Sequence, residues 1–425
     1  MRSRTMAAPH PPNSSGHNRR PRRPRVLSVF SGAGGLDLGL EAAGFQTVGC
    51  IEFDPIARDT LRLNRPSWRM IEPSDINALV SSFSVKDIGM RRGQLDCIAA
   101  GVPCQPYSKA AQWLSSGHAG IKDPRSSCLR SLMRLVDECL PSVLVIENVE
   151  GFVRGKGAAL RSIQSSLGWI NARRATKYRA QWTVLDACDY GVPQHRRRSI
   201  IIARRDGSSF RWPEKTHTAQ PVRAWDAIGS LHPKDPPRAQ GHWAGLLRSI
   251  PEGGNYLHHT PRGKGEPVFG YRRRYWSFLL KLAKDRPSWT IPAQPAQNAG
   301  PFHWDNRRLS EKEMLRLQSF PTKWLIAGAE EDRVRQIGNA TPPLLAEVIG
   351  RAVAEQVFGR EYDRRPTLGL RRRRAIPAAR RPAPVPKRYL RGRRDLEPHP
   401  GTGRGPGALR VIISEETLSF SGEHR

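Results

Sequence analysis

The sequence is poor in acidic residues and has no long apolar run, and each shortage excludes a class of protein. Thirty-eight Asp and Glu residues stand against 70 Lys and Arg residues, which gives a formal net charge of +32. This balance disfavours cationic partners and indicates a polyanion such as nucleic acid. No run approaches the roughly 20 apolar residues that span a bilayer, so we expect no membrane partner.

Paired cysteines are also missing. None of the six cysteines forms a CxxC pair, which excludes a zinc framework or a disulfide scaffold and predicts no metal site. The Arg-rich N-terminus lacks the apolar stretch of a secretion signal. We therefore expect a protein of the reducing cytoplasm. The cysteines are Cys50, Cys97, Cys104, Cys128, Cys139 and Cys188.

The positive charge is spread along the chain. Residues 1–24 carry a net charge of +6 and residues 360–425 carry +10, which leaves +16 for residues 25–359. Basic tails therefore do not explain the whole excess. Both ends are rich in Pro and Arg, and the sequence predicts that residues 1–24 and 360–425 are disordered.

Between these ends, short β-branched apolar runs alternate with amphipathic stretches, which is typical of an α/β fold with a mostly parallel sheet. The predicted strands are RVLSVF (25–30), TVGCIEFD (47–54), LDCIAAG (95–101), SVLVIENV (142–149) and SIIIARR (199–205). The predicted helices include LDLGLEAAGF (36–45), PIARDTLRLN (55–64), SSCLRSLMRLVDECL (126–140), SEKEMLRLQSF (310–320) and PPLLAEVIGRAVAEQVF (342–358). Residues 206–307 lack this periodicity and predict a second, smaller and irregular domain.

A glycine-rich turn, FSGAGG (30–35), lies between the first predicted strand and helix. Such a turn can present main-chain N–H groups to a ligand, although tight glycine turns also occur without one. Glu52 ends the second strand, where a carboxylate can hold ribose hydroxyls. Asp37 replaces the third glycine of the dinucleotide motif, so S-adenosylmethionine is favoured over NAD. Phe53 is placed to contact the adenine, and Asp75 falls where a third strand would offer a carboxylate.

Cys104 lies in GVPCQPYS (101–108), directly after a predicted strand. Ligands of α/β proteins bind at the carboxyl ends of strands, and a thiolate there is a strong nucleophile. A structural loop thiol is the alternative. Glu147 ends another buried strand, where a carboxylate is costly unless it is paired or functional. Arg196 and Arg198 precede the last strand and can bind a carbonyl oxygen or a phosphate.

These groups fit methylation of cytosine at C5. Attack of a thiolate at C6 turns C5 into a carbon nucleophile, and an acid at N3 with a cation at O2 stabilises the charge that enters the ring. The base must leave the duplex to reach such a pocket.

Six segments, in order, resemble motifs of the DNA (cytosine-5) methyltransferases and cover roughly residues 25–358. The family implies a Rossmann-like α/β sheet with helices on both faces and a small target-recognition domain, here about 206–307 between catalytic segments 25–205 and 308–359. Val102, Tyr107 and Thr341 depart conservatively from the family pattern. The matching segments are FSGAGG, PCQPYS, ENV, QHRRR, RLSEKEMLRLQSFP (308–321) and QIGNATPPLLAEVIG (336–350).

The resemblance implies roles residue by residue. Cys104 is the nucleophile and Glu147 the proton partner of N3. Arg196 contacts the flipped base, with Arg198 and Gln194 supporting the loop. The implied substrate-binding residues are Gln105, Ser108 and Gln194, the last also supporting the arginine loop. The implied S-adenosylmethionine site comprises Phe30, Ser31, Gly32, Gly34, Gly35, Glu52, Phe53, Asp75, Ile76, Pro103, Asn339 and Ala340.

The resemblance implies a monomeric enzyme that binds double-stranded DNA and is associated with the nucleoid through it. A restriction endonuclease with the same target is a candidate second partner. Two alternatives compete with this hypothesis. A tRNA methyltransferase of the same family would have a shorter variable region, and an inactive DNA-binding protein would have lost Cys104 or Glu147. We also expect the 360–425 tail to add non-specific DNA affinity through counterion release.

Overall fold

A mixed β-sheet lies at the centre of the computed structural model, which describes residues 22–103, 127–154, 159–269, 275–373 and 375–390. Its strand order is β2-β1-β3-β4-β6-β5. Strands β1 to β4 are mutually parallel, and β6 runs antiparallel to both of its neighbours. The strands are β1 Arg25–Val29, β2 Gln46–Ile51, β3 Cys97–Gly101, β4 Val143–Asn148, β5 Arg179–Asp186 and β6 Arg197–Arg204.

The helices follow the predicted alternation with the strands. Within the described ranges, no helix is both long and apolar enough to cross a membrane. The helices are α1 Gly35–Ala42, α2 Pro55–Asn64, α3 Ile76–Leu79, α4 Ser127–Cys139, α5 Ala159–Arg174, α6 Ala224–Ile228, α7 Glu311–Leu317, α8 Glu330–Asn339, α9 Pro343–Phe358 and α10 Lys387–Leu390.

Alternate residues of the strands enter two hydrophobic cores, one on each face of the sheet, because side chains alternate along a strand. One core joins residues such as Leu27 and Ile98 to helices α4 and α5. The other joins Val26 and Val145 to helices α1 and α9. The predicted α/β sheet with helices on both faces is therefore confirmed.

Small residues let α1 and α9 pack closely. A Cβ on Gly39 would lie 2.3 Å from the Cβ of Ala346, and one on Gly350 would lie 2.8 Å from the Cβ of Ala43. Because a well-packed core cannot accommodate extra side-chain atoms without strain, larger residues at Gly39 or Gly350 would push the two helices apart. This packing holds the α9 helix against the first helix of the chain, beside the glycine-rich turn.

Three of the longer regular elements, β5, α5 and α8, were not predicted from the sequence, and neither were the short helices α3, α6 and α10. Strand β5 lies at the sheet edge and most of its side chains are partly exposed, so it lacks a buried apolar run. Helix α5 buries residues at helical spacing, such as Ile163, Leu167 and Ile170, so the sequence carried a usable signal for it. Helix α8 is mostly polar and β5 is held by its pairing with β6, so neither shows its burial in local periodicity.

Residues 206–307 divide between two cores. Helix α6 packs with α7 and the end of α8 in a third core that also contains Trp304. A fourth core gathers aromatic and aliphatic side chains of this segment around Leu246 and Leu247. Phe210, at the start of the segment, still belongs to the sheet. The irregular segment therefore has a core of its own, which begins well after residue 206.

The C-terminal tail differs from the expected disorder over 360–373 and 375–390. The main-chain N–H of Leu368 donates to Glu347 at 2.8 Å, and that of Arg373 donates to Asp226 at 2.7 Å. Tyr389 is buried in the fourth core and donates to the carbonyl of His242 at 2.8 Å. This stretch runs from α9 past α6 to the fourth core. It is held by the buried carboxylates of Glu347 and Asp226 and, at its end, by the buried ring of Tyr389.

At the N-terminus, the structure begins within the stretch that was predicted to be disordered. The guanidinium of Arg22 donates to both oxygens of Asp96, at 2.7 and 2.9 Å. Arg23 donates to the carbonyl of Phe45 at 2.7 Å. Residues 1–21 and 391–425 lie outside the described residues.

Candidate active site

The glycine-rich turn and the end of β2 are joined by two main-chain donors. The N–H of Phe30 donates to the Ile51 carbonyl at 2.8 Å, and the N–H of Gly32 donates to Glu52 Oε2 at 2.8 Å. Because β1 and β2 are parallel, both ends lie at the same edge of the sheet. Thus the structure brings the predicted turn and the predicted carboxylate together.

The turn requires its glycines. Gly32 and Gly34 have φ angles of 54° and 77°, in the left-handed region that favours glycine. A Cβ on Gly35 would lie 2.1 Å from the Thr341 carbonyl oxygen, so the turn contacts the segment before α9 directly. Trp324 also stabilises the turn, because its Nε1 donates to the Ala33 carbonyl at 3.1 Å.

Glu52 is oriented by its neighbours. Its second oxygen accepts the Asp54 N–H at 2.8 Å. Burial raises the pKa of Glu52, while the N–H donors of Gly32 and Asp54 oppose that shift. Phe53 beside it is 68% exposed, which is unusual for a large apolar ring and leaves its face open to a ligand.

Asp75 does not end a third strand, which corrects the expectation for that residue. It is the N-cap of α3 and accepts the Asn77 N–H at 2.9 Å. The preceding chain pairs with β2 only through an isolated bridge between Cys50 and Met70. The Ile76 side chain is buried in the core, so a ligand would meet this residue through its main chain.

The turn fits a nucleoside-bearing ligand. Nothing lies within 4 Å of a Cβ built on Gly32, and no side chain caps the N-terminus of α1. Uncapped N–H groups at a helix start bind polar ligand atoms. Ser31, by contrast, is engaged with Ser28, since their hydroxyl oxygens are 2.6 Å apart. At the end of α8, Asn339 is exposed and Ala340 is buried.

Glu147 lies next to the start of the cysteine loop. The register of β3 and β4 pairs it with Gly101, three residues before Cys104. Asn148 donates from Nδ2 to the Val102 carbonyl at 2.9 Å and so fixes the direction in which the loop departs. Pro103 is exposed. The predicted residues Cys104, Gln105 and Ser108 lie outside the described residues.

The two arginines, predicted to contact the base (Arg196) and to support the loop (Arg198), have different partners in the structure. Arg198 Nε lies 3.0 Å from Glu147 Oε1, at the edge of the sheet. Arg196 is almost fully buried and donates to the Gly338 carbonyl at 2.8 Å. Arg198 is therefore the cation next to the predicted acid, whereas Arg196 connects this loop to the end of α8.

Gln194 is fully buried, and both of its amide atoms contact main-chain groups. Its Nε2 donates to the Leu317 carbonyl at 3.3 Å, and its Oε1 accepts the Ile291 N–H at 3.2 Å. In this structure it joins the loop before β6 to the Leu317 carbonyl and the Ile291 N–H, and its side chain is not open to a substrate.

Three positions near the site were not assigned a role from the sequence. Asn148 follows Glu147 in the ENV motif, which was a usable signal. Trp324 had no signal, because its target is a carbonyl 291 residues away. Asp37 is fully buried in the first turn of α1, neither carboxylate oxygen accepts a well-formed hydrogen bond, and burial raises its pKa to about 7.

Comparisons with known proteins assign the family. The family model of the C-5 cytosine-specific DNA methylases matches residues 24–355. The type II methyltransferase M.SacI of Streptomyces achromogenes is 33% identical, over 78% of this chain and 93% of its own length. M.Eco47II of Escherichia coli, another type II methyltransferase, is 32% identical, over 77% of this chain and 78% of its own length.

Solved structures show the same fold. A methyltransferase encoded within an E. coli prophage superposes with a TM-score of 0.56 at 22% identity, over 79% of this chain and all of its own. The methyltransferase EhMeth of Entamoeba histolytica gives 0.54 at 15% identity, over 79% and 99%.

The chain belongs to the C-5 cytosine-specific DNA methylase family. It is a DNA cytosine-5 methyltransferase, and the tRNA alternative has less support, since the curated relatives named above are type II methyltransferases.

Proposed function

We propose that this enzyme methylates C5 of a flipped cytosine in one duplex DNA sequence, through a covalent bond between Cys104 and C6. The observation that supports the proposal is the register that pairs Glu147 with Gly101, three residues before Cys104 in the chain. Arg198 lies against the same carboxylate at 3.0 Å. Nucleophile, acid and cation thus come from three adjacent strands, β3, β4 and β6.

The residues act in sequence. The Cys104 thiolate adds to C6 while Glu147 donates a proton to N3, so the negative charge of the addition does not accumulate in the ring. Arg198, rather than Arg196, faces the ring oxygen O2 from beside Glu147. After methylation a base removes the C5 proton, the C6–S bond breaks, and the thiolate is regenerated.

S-adenosylmethionine, when bound, supplies the methyl group from its sulfonium. Gly32 and the start of α1 would receive its polar end, Glu52 its ribose and Phe53 its adenine. Asp75, Ile76 and Pro103 would line the adenine side, and Asn339 with Ala340 the other. The supporting observation is that Glu52 is already oriented by two N–H donors and Phe53 is exposed.

We further propose that residues 206–307 recognise the target sequence, packed against the catalytic segments 25–205 and 308–359. Exposed aromatic residues support this role, because rings and arginines contact bases and phosphates. Tyr275 is 73% exposed, and Trp276 and Trp289 lie edge to face with centroids 4.4 Å apart. As with its type II relatives, a restriction endonuclease of the same specificity is the proposed partner of this monomer.

The test is bisulfite sequencing of DNA from a host without 5-methylcytosine that expresses this chain. We expect methylation in one sequence context, and none with Cys104→Ala. A Cys139→Ala variant is the matched control and should keep the pattern, because Cys139 ends α4 beside Gly93, before β3 begins and so at the opposite edge of the sheet from the proposed site. Methylation that persists in Cys104→Ala would refute the covalent mechanism, and methylation of RNA alone would refute the DNA substrate.

A further inference from the structure

Three side chains of different chemistry converge where β5 ends and β6 begins. Asp186 is the last residue of β5, Cys188 lies in the following turn, and His195 precedes β6. Asp186 Oδ2 and Cys188 Sγ each lie 3.2 Å from Nδ1 of His195. One ring nitrogen is therefore shared by a carboxylate and a thiol.

The three donor atoms have the spacing of a metal site. All of them lie within 4.8 Å of one another. Bonds of about 2.0–2.3 Å from Zn²⁺ to oxygen, nitrogen and sulfur place tetrahedral ligands roughly 3.3–3.6 Å apart. The observed contacts are close to that range, so small side-chain rotations would suffice to bind an ion.

The surroundings favour a divalent cation. The nearby acid Asp189 is already paired with Lys215 at 2.9 Å, which leaves Asp186 as the carboxylate of the cluster. The Asp186 and His195 side chains are 23% and 40% exposed, so a fourth ligand can be water. Sulfur, imidazole and carboxylate together suit Zn²⁺ better than Mg²⁺ or Ca²⁺.

From this geometry we propose that Asp186, Cys188 and His195 bind one Zn²⁺ ion. The CxxC criterion did not reveal this site, because its ligands are spaced as D-x-C-x6-H along residues 186–195. Asp186 Oδ1 accepts the Arg196 N–H at 2.8 Å, so an ion at Oδ2 would stiffen the loop that carries Arg196 and Arg198. The bound ion would thus help to position the loop that precedes β6.

Titration of the tag-free, reduced full chain with Co²⁺ tests the proposal. We expect one Co²⁺ per chain, with a near-ultraviolet band from charge transfer between thiolate and cobalt, displaced by Zn²⁺. Cys188→Ser should abolish the band, and His195→Asn should weaken binding by about 100-fold or more, since even second-shell partners are worth roughly 10–100-fold. Binding is read without the methylation assay, so its failure does not bear on the proposed function.

Two controls separate this site from other thiols. Cys104→Ser and Cys128→Ser should both keep the band. Absence of the band in the wild-type chain, or its persistence in Cys188→Ser, would overturn the proposal. If Cys188→Ser does not fold, the His195→Asn titration decides: unchanged Co²⁺ affinity in that folded variant overturns the site, and a large loss supports it.

Discussion

Two acids of the catalytic part, Asp37 and Glu147, contrast with two acids of the recognition segment, Asp226 and Glu252, in how fully their carboxylates are hydrogen-bonded. In the recognition segment, Asp226 accepts three hydrogen bonds from Arg223 and one from the Arg373 N–H, and Glu252 pairs with Lys284 at 2.5 Å. In the catalytic part, Asp37 in the first turn of α1 has no well-formed hydrogen bond, and Glu147 Oε1 at the end of β4 lies near Arg198 without one.

The difference separates groups that hold a fold from groups kept for a ligand. A buried carboxylate without hydrogen bonds lowers the stability of the fold. It persists where the surrounding packing offsets that cost, or where a bound substrate supplies the missing hydrogen bond. Satisfied acids such as Asp226 gain nothing from a ligand. We therefore expect substitution of Glu147 or Arg198 to lower the rate of methyl transfer. Substitution of Asp226 or Glu252 should instead lower the free energy of unfolding.

The largest expected effect is that of Glu147→Gln. Loss of the proton donor should reduce methyl transfer by about 10²–10⁴-fold, the usual worth of a general acid. Incorporation of labelled methyl groups into plasmid DNA measures it, with binding of S-adenosylmethionine as a check on folding. Glu150→Gln is the matched control, since that carboxylate pairs with Arg154 and Arg197 and not with Arg198. Equal losses in both variants would contradict the role of Glu147.

The two arginines sharpen the comparison within one loop. Arg198→Met should lower the rate by about 10²–10³-fold, as for a missing oxyanion donor, with little change in stability. Arg196→Met should instead lower the free energy of unfolding by about 2 kcal/mol, because the Gly338 carbonyl loses its buried donor. Single-turnover rates and urea unfolding of both variants measure the two effects. The opposite assignment would restore Arg196 as the base contact.

These arginines also show how far the sequence predicts the structure. Strands β1 to β4 and helices α1, α2, α4 and α9 were predicted because each shows its burial in local periodicity. The different partners of Arg196 and Arg198 could not be predicted, because two arginines two residues apart look alike until the Gly338 carbonyl and Glu147 are placed. The packed tail was missed for the same reason, since Tyr389 bonds to a carbonyl 147 residues away.

Asp37 should make the free energy of unfolding depend on pH, unlike an exposed acid. Burial raises its pKa to about 7, so between about pH 4 and 7 the folded chain binds a proton that the unfolded chain has released. Stability from this group is therefore full below about pH 4 and declines as pH rises to about 7, by up to about 4 kcal/mol. Asp37→Asn should remove the decline and be the more stable protein at pH 8. Urea midpoints at pH 5 and 8 measure it.

The matched control for that experiment is Asp59→Asn, an exposed acid on α2. It should unfold with the wild-type pH dependence. If Asp37→Asn also keeps the wild-type dependence, then Asp37 is not the unsatisfied acid that the comparison requires.

The smallest expected effect concerns DNA affinity. The net charge of residues 360–390 is +9, whereas residues 391–425 contribute only +1. Truncation after Leu390 should therefore leave the salt dependence of DNA binding unchanged. Replacing the exposed Arg364, Arg365 and Arg381 by Gln should flatten it by about 0.9 for each phosphate that these side chains no longer neutralise.

Fluorescence anisotropy of a duplex across a salt series measures that slope. The contrast is informative because Tyr389 and the Asp226 hydrogen bond hold the basic stretch against the recognition segment, so its charges occupy fixed positions. Charge held in place next to bound DNA releases counterions at each phosphate it neutralises, while a nearly neutral extension does not. A slope that falls on truncation but not in the triple variant would place the DNA-binding charges beyond residue 390.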